Sequence, residues 1–236
     1  MRVIGVYSIK GGVGKTSSAV NLAYLAASAG HRTLVWDLDP QGAASYFFRV
    51  KPKVKGGGRA LLRGKRSLDD VIKGTDFELL DLLPSDFSYR NMDILLEAAK
   101  KKPVRQLQRI LKPVVGEYDI IFFDCPPSIS LMSENIFRAA DALLVPLIPS
   151  TLSARTLEQL LEFLEKQEGF GELRVLPFFS MVDKERPLHS DTIGRLRAEH
   201  PEILAAAIPL SAVCLLYTSP SPRDCTKELV CRLLRE

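Results

Sequence analysis

Ser8-Ile9-Lys10-Gly11-Gly12-Val13-Gly14-Lys15-Thr16 is the stretch on which the reading of this chain turns. An apolar run, Val3-Ile4-Gly5-Val6-Tyr7, precedes it, and a helix-like run from Ser17 to Ala29 follows. Strand, glycine loop and helix start, in that order, are the setting a phosphate-binding loop needs. Without Cβ atoms the glycines let successive backbone N–H groups turn toward phosphate oxygens. The helix N-terminus behind them adds partial positive charge. Lys15 can reach β- and γ-phosphates, and the Thr16 hydroxyl can ligate Mg²⁺. The plainer reading, a glycine turn with two solvated lysines, leaves the agreement of so many specified positions unexplained.

Composition sets the bounds. At 236 residues the chain is long enough for one α/β domain with a large core. Hydrophobic residues make up 46%, ordinary for a globular protein. The N-terminal apolar run passes straight into the loop, so a cleavable signal is not expected. No stretch of about 18 apolar residues suggests a membrane span. A cytoplasmic enzyme is the expectation. The net charge of +4 is mild. Cys125 is the only cysteine before position 214, which argues against a disulfide framework.

Two more carboxylate-bearing strings lie further along the chain. Arg32 to Asp37 reads as a buried parallel strand, apolar without alternation. It runs into Leu38-Asp39-Pro40-Gln41-Gly42. Carboxylates at a strand's C-terminal end lie on the edge where α/β sheets bind ligands. Taken alone, Asp-Pro and Gln-Gly would be turn formers. Tyr118 to Asp124 is a second apolar strand ending in a carboxylate, continued by Cys125-Pro126-Pro127-Ser128. Cys125 reads as a small strand-end residue, since no histidine lies near it in sequence.

Periodicity and breakers place the remaining elements. Strands are expected at 77–83, 141–147, 174–181 and 203–210. Helices are expected at 68–73, 86–102, 104–115, 130–140, 152–166 and 189–200, the second and third divided by Pro103. Arg49 to Arg66 carries Arg49, Lys51, Lys53, Lys55, Arg59, Arg63, Lys65 and Arg66 with no acid among them. Gly56-Gly57-Gly58 makes that segment a flexible loop, either simply solvated or in contact with nucleic acid phosphates. Lys100, Lys101, Lys102, Arg105, Arg109 and Lys112 form a second basic cluster.

Lys10-Gly11-Gly12-Val13-Gly14-Lys15-Thr16, Asp37-Leu38-Asp39-Pro40-Gln41-Gly42 and Asp124-Cys125-Pro126-Pro127-Ser128 together resemble the three motifs of the ParA/MinD family, P-loop ATPases with a deviant Walker A loop. The Pro-Gln pair and the Pro-Pro-Ser ending are ParA-like. The resemblance covers nearly all of Arg2 to Val213. It implies an α/β fold with a doubly wound, mostly parallel sheet and helices on both faces. It implies ATP and Mg²⁺ bound at Gly11, Gly12, Val13, Gly14, Lys15, Thr16 and Ser17. Lys10 would cross to the partner's phosphates in an ATP-dependent homodimer. Asp39 would orient the attacking water or hold a water on Mg²⁺, and Asp124 would hold Mg²⁺ through a water. Asp124 to Ser128 would sense the γ-phosphate. Residues 182–186 would form the adenine-side turn.

For a ParA-like member the resemblance also implies non-specific DNA binding and a cognate DNA-bound activator protein, in plasmid or chromosome segregation. The site of action would then be the cytoplasm and its nucleoid. A MinD-like membrane-positioning ATPase and a metabolic enzyme of the cobyrinate synthase type are the alternatives. Residues 214–236 resemble a translated sequencing adapter, so the ATPase domain is expected to end at Val213, with the native C-terminal helix replaced.

Overall fold

The computed structural model describes residues 1–99 and 102–210. The adapter-like tail, with Cys214, Cys225 and Cys231, lies outside the described residues, as do Lys100 and Lys101. In chain order the elements are β1 (Arg2–Val6), α1 (Lys15–Ser28), β2 (Thr33–Asp37), α2 (Ala43–Phe47), α3 (Gly57–Leu62), β3 (Lys73–Gly74) and β4 (Leu80–Leu83). Next come α4 (Met92–Glu97), α5 (Gln106–Leu111), β5 (Ile120–Asp124), α6 (Leu131–Ala139), β6 (Ala142–Leu147), α7 (Thr151–Lys166), β7 (Arg174–Val182), α8 (Pro187–Glu199) and β8 (Ala207–Pro209).

The strands form one sheet in the order β3-β4-β2-β5-β1-β6-β7-β8. Every pairing is parallel except β3 with β4. Consecutive side chains of a strand face opposite sides. On β5, Ile121 and Phe123 enter one core and Ile120 and Phe122 the other. Trp36 of β2 packs edge-on against Phe123 at 5.7 Å. Residues of α1 and α2 build the core on one face, and residues of α3 to α7 build the other. Helices therefore lie on both faces, as the doubly wound reading requires. Each fully buried large side chain contributes about 1.5–3 kcal/mol. The end of α1 comes from local chemistry. Gly30 (φ 92°) closes the helix, with Gly30 and His31 N–H groups donating to the Ala27 and Ala26 carbonyls.

The segment between β2 and β5 departs from expectation. Residues 49–66 are not a flexible loop. Val54, Leu61 and Leu62 are buried, and α3 begins inside the glycine triplet. The helix expected at 68–73 is a turn leading into β3. There Ser67 Oγ and Asp70 Oδ2 take backbone N–H groups that a helix would use differently. Strand β4 is shorter than expected because Leu79 adopts φ 60°. The two long helices expected at 86–102 and 104–115 are broken into 3₁₀ turns and the short helices α4 and α5. Asp86 caps the first 3₁₀ turn by accepting from Ser88 N–H. Buried Asn135 holds the start of α5, accepting from Gln106 N–H at 2.8 Å and donating to the Pro103 carbonyl at 2.8 Å.

Candidate nucleotide site

Three loops meet at the C-terminal edge of the sheet, where the strand order places β1 between β5 and β6. The loop after β1 is the glycine stretch; those after β2 and β5 carry the carboxylates. In register, Val6 and Asp37 stand on either side of Asp124. This is the switch point at which α/β sheets bind ligands.

The glycine loop is open on one side and closed on the other. A Cβ on Gly11 or Gly12 would meet nothing within 4 Å among the described residues. Gly14 is left-handed at φ 90°, and a Cβ there would come within 2.9 Å of Ser180 Oγ on β7. So Gly14 is required by both conformation and close packing. It caps α1, and Lys15 and Thr16 begin the helix, with Ser17 on the same turn. Val13 is buried beneath the loop. The N–H groups of the first helical turn and its positive dipole end are what an anion site needs.

Lys15 is 7% exposed, and its ammonium donates to the Lys10 carbonyl at 3.1 Å. Burial lowers its pKa, while the negative charges of Asp124 and Asp39 oppose that shift. Lys10 donates its N–H to Ser8 Oγ. Its side chain makes no ion pair among the described residues.

Asp124 is wholly buried, and neither carboxylate oxygen has a hydrogen-bond partner of good geometry. Burial and the adjacent Asp37 push its pKa well up; the nearby Thr16 hydroxyl and Lys15 work against this. Two orphaned carboxylate oxygens beside a hydroxyl and an ammonium are costly unless a cation completes them. Mg²⁺ fits, because it takes one or two carboxylates and keeps waters and phosphates as its other ligands. Among the described residues no cluster of three His, Cys, Asp or Glu side chains forms, and Mg²⁺ does not need one.

Asp39 is half-buried. Its Oδ1 accepts Gln41 N–H at 2.9 Å, and its carbonyl accepts Gly42 N–H and the Ser85 hydroxyl. Cys125 is fully buried with its thiol pKa pushed up by that burial, which suits a packing residue rather than a nucleophile. Tyr7 donates its hydroxyl to the Ser128 carbonyl at 3.0 Å, tying the loop after β5 to β1. The C-terminal end of β7 adjoins the site as well. Met181 is left-handed (φ 55°) and its Cε lies beside Gly14, while Asp183 pairs with Arg186 at 3.0 Å.

Three residues of the site carry no role in the sequence reading. Asp37 ends β2 fully buried, with Oδ2 accepting both the N–H and the hydroxyl of Ser45 at 2.7 Å. Burial raises its pKa to about 6, against the pull of those bonds. The doubled carboxylate of Asp37-Leu38-Asp39 is the signal that could have found it. Ser45 and Ser85 give no signal of their own.

A parallel sheet with a glycine loop after its first strand and an orphaned carboxylate closing β5 defines a P-loop nucleoside triphosphatase. A family model described as an AAA domain matches residues 1–169. The chromosome partitioning protein ParA of Myxococcus xanthus is 37% identical over 147 residues, covering 62% of this chain and 52% of that protein. The chromosome partitioning protein ParA of Caulobacter vibrioides is 32% identical over 216 residues, covering 89% of this chain and 80% of that protein. The chain therefore belongs to this AAA-domain family and, within it, to the ParA/MinD P-loop proteins. It spans about half the length of the Myxococcus relative. Among solved structures, cobyrinic acid a,c-diamide synthase from Mycobacterium smegmatis, with bound ATP analog and magnesium, superposes with a TM-score of 0.86 at 27% identity. That match covers 100% of this chain and 95% of the synthase.

Proposed function

We propose that the protein is a ParA-like ATPase that hydrolyses ATP to ADP and phosphate and uses its nucleotide state to time the binding of partners. The observation that carries this reading is the convergence of buried Lys15, Thr16 and the orphaned Asp124 behind open glycines. In this reading the N–H groups of Gly11 to Ser17 bind the phosphates, and Lys15 stabilises charge developing on them. Thr16 and, through a water, Asp124 would hold Mg²⁺, and Asp39 would orient the attacking water or hold a water on Mg²⁺. Bound Mg²⁺ supplies neutralisation of charge on the β- and γ-oxygens. Lys10 crosses to the partner's phosphates in an ATP-dependent homodimer, and its ammonium, in no ion pair among the described residues, is available for that contact. Loss of phosphate relaxes residues 124–128 and releases the Tyr7–Ser128 tether.

The reading extends to non-specific DNA binding and a DNA-bound activator in plasmid or chromosome segregation, in the cytoplasm and on the nucleoid. Its support is a run of exposed basic side chains. Lys51, Lys53, Lys55, Arg59, Arg63 and Lys65 are exposed and make no ion pair among the described residues. Arg109 of the second cluster donates to the Leu62 carbonyl, so the two basic stretches adjoin. Among the described residues no helix is long and apolar enough to cross a membrane.

A second reading, a metabolic P-loop enzyme, is favoured by the likeness to the diamide synthase. One experiment separates them: ATPase rate and DNA retention with and without ATP, across a salt series. ATP-dependent DNA binding that weakens steeply with salt supports the partition role. Rapid turnover with no macromolecular stimulator, and no DNA binding, supports the metabolic one.

A further inference from the structure

The loop that carries Asp39 is held from outside by residues the ATPase motifs do not contain. Ser85 stands just past the end of β4, fully buried, 46 positions from Asp39 in sequence. Its hydroxyl donates to the Asp39 carbonyl, and its N–H donates to Ser45 Oγ at 2.9 Å. Ser45, from α2, in turn donates its N–H and its hydroxyl to Asp37 Oδ2. Asp37 and Asp39 are thus both fixed, one at its carboxylate and the other at its carbonyl, by a single buried relay.

Geometry transmits this to the carboxylate. The Asp39 carbonyl belongs to the peptide plane before Pro40, whose ring locks the next φ. Gly42 N–H also donates to that carbonyl, closing a turn into left-handed Gly42 (φ 69°). A Cβ on Gly42 would meet Pro52 at 2.9 Å, so Pro52 lies close against the turn. With both ends of the turn fixed, the Asp39 side chain leaves a rigid base. Its remaining freedom is its own rotamer, and Gln41 N–H restrains that.

We propose that Ser85 is a positioning residue for hydrolysis, acting through the Asp39 carbonyl to aim the Asp39 carboxylate. This rests on the reading of Asp39 as the group that positions water. The hydrogen bonds of Ser85 reach no phosphate-binding residue of the glycine loop, so its loss acts on turnover and not on nucleotide capture. A displaced catalytic group costs rate steeply even when the displacement is below an ångström or so.

The test compares the full chain with Ser85→Ala, Ser85→Cys, Ser88→Ala and Asp39→Ala. It measures kcat and KM for ATP, ATP affinity by calorimetry and the urea midpoint of each. Ser85→Ala is expected to lower kcat by roughly tenfold to a hundredfold, with KM and affinity held within about twofold. Ser85→Cys keeps the shape and a weak donor, so its kcat falls between those of the parent and Ser85→Ala. Ser88 bonds Gly58 N–H from the same strand-end segment but has no hydrogen bond to Asp39, and its alanine variant keeps the parent kcat. A parent-like kcat in Ser85→Ala overturns the proposal, as does a parallel loss of ATP affinity or a Ser88→Ala defect of equal size. If Asp39→Ala itself turns over normally, the reading of Asp39 falls. If Asp39→Ala is dead while Ser85→Ala is normal, Asp39 stands and only the relay is refuted.

Discussion

The chain has two glycine-rich stretches, and they do opposite things. In residues 11–14 the first two glycines face open space. In residues 56–58 every glycine is pressed against something: a Cβ would lie 2.7 Å from Ala60 Cβ, 2.5 Å from Ser88 Oγ and 2.9 Å from Met92 Cε, respectively. Both stretches start a helix through a left-handed glycine. In the proposed function the first keeps its N–H groups for a ligand. The second uses its lack of side chains to pack α3 against Tyr89 and Met92. Glycine alone therefore does not distinguish a cradle from a close contact. The residues next in the chain make the distinction: Lys15 and Thr16 in one case, Arg59 and buried Leu61 and Leu62 in the other.

The largest expected effect lies in the open stretch. Lys15→Ala removes the buried cation of the site, and kcat/KM for ATP should fall on the order of 10²–10³-fold or more. The urea midpoint should hold or rise, because burial already disfavours that charge. Calorimetry and a phosphate-release assay check both, and parent-like affinity would detach Lys15 from the phosphates. Asp39→Ala should bind ATP and form dimers yet lose roughly 10²-fold or more in turnover. Size-exclusion chromatography with ATP reads the first, and phosphate release reads the second.

Much of the site is legible in the sequence because its signals are local. Gly11 to Thr16 occupy a strand-to-helix junction, and Asp124 ends four consecutive apolar residues. Both patterns survive with no knowledge of partners far along the chain. The region from Arg49 to Leu111 cannot be read this way. Its course depends on Asp86 accepting Val54 N–H across 32 positions, and on Asn135 meeting Gln106 across 29. Propensity and periodicity see nothing at such separations, so a pinned segment resembles a flexible loop and two broken helices resemble continuous ones. Ser85 escapes for the same reason. A serine after Leu83-Pro84 has no local mark that it will reach the Asp39 carbonyl.

Swapping single methyl groups sharpens the contrast between the two stretches. Gly57→Ala forces a Cβ onto a left-handed residue (φ 63°) and into Ser88 Oγ. It should cost roughly 1–3 kcal/mol in urea unfolding while ATP affinity stays unchanged. Gly11→Ala meets no described neighbour and should leave stability within about 0.5 kcal/mol. If the proposed function holds, its methyl enters the space a phosphate takes, and ATP affinity should drop more than about tenfold, the worth of one charge-assisted hydrogen bond. Equal responses from the two variants would erase the difference between cradle and close contact.

The expected effect that develops most gradually is a pH slope that belongs to the open side alone. Burial raises the Asp37 pKa to about 6, above its ordinary value near 3.8. Between those values the native state keeps a proton that the unfolded chain has released. Stability therefore falls as pH rises through this window, by up to about 1.4 kcal/mol per unit. Above about pH 6 both states are ionised and this slope ends. Asp124, also pushed upward, adds a slope of the same sign. Urea midpoints taken across the window, without nucleotide or Mg²⁺, should thus show a shallower decline in Asp37→Asn than in the parent, and not a flat line. Gly57→Ala should shift the whole profile downward without changing its shape, since no group it touches titrates upward there. Parallel profiles for Asp37→Asn and the parent would mean that the Ser45 bonds keep Asp37 ionised in the native state. Asp37 would then enter the site as a fixed negative charge beside Asp124.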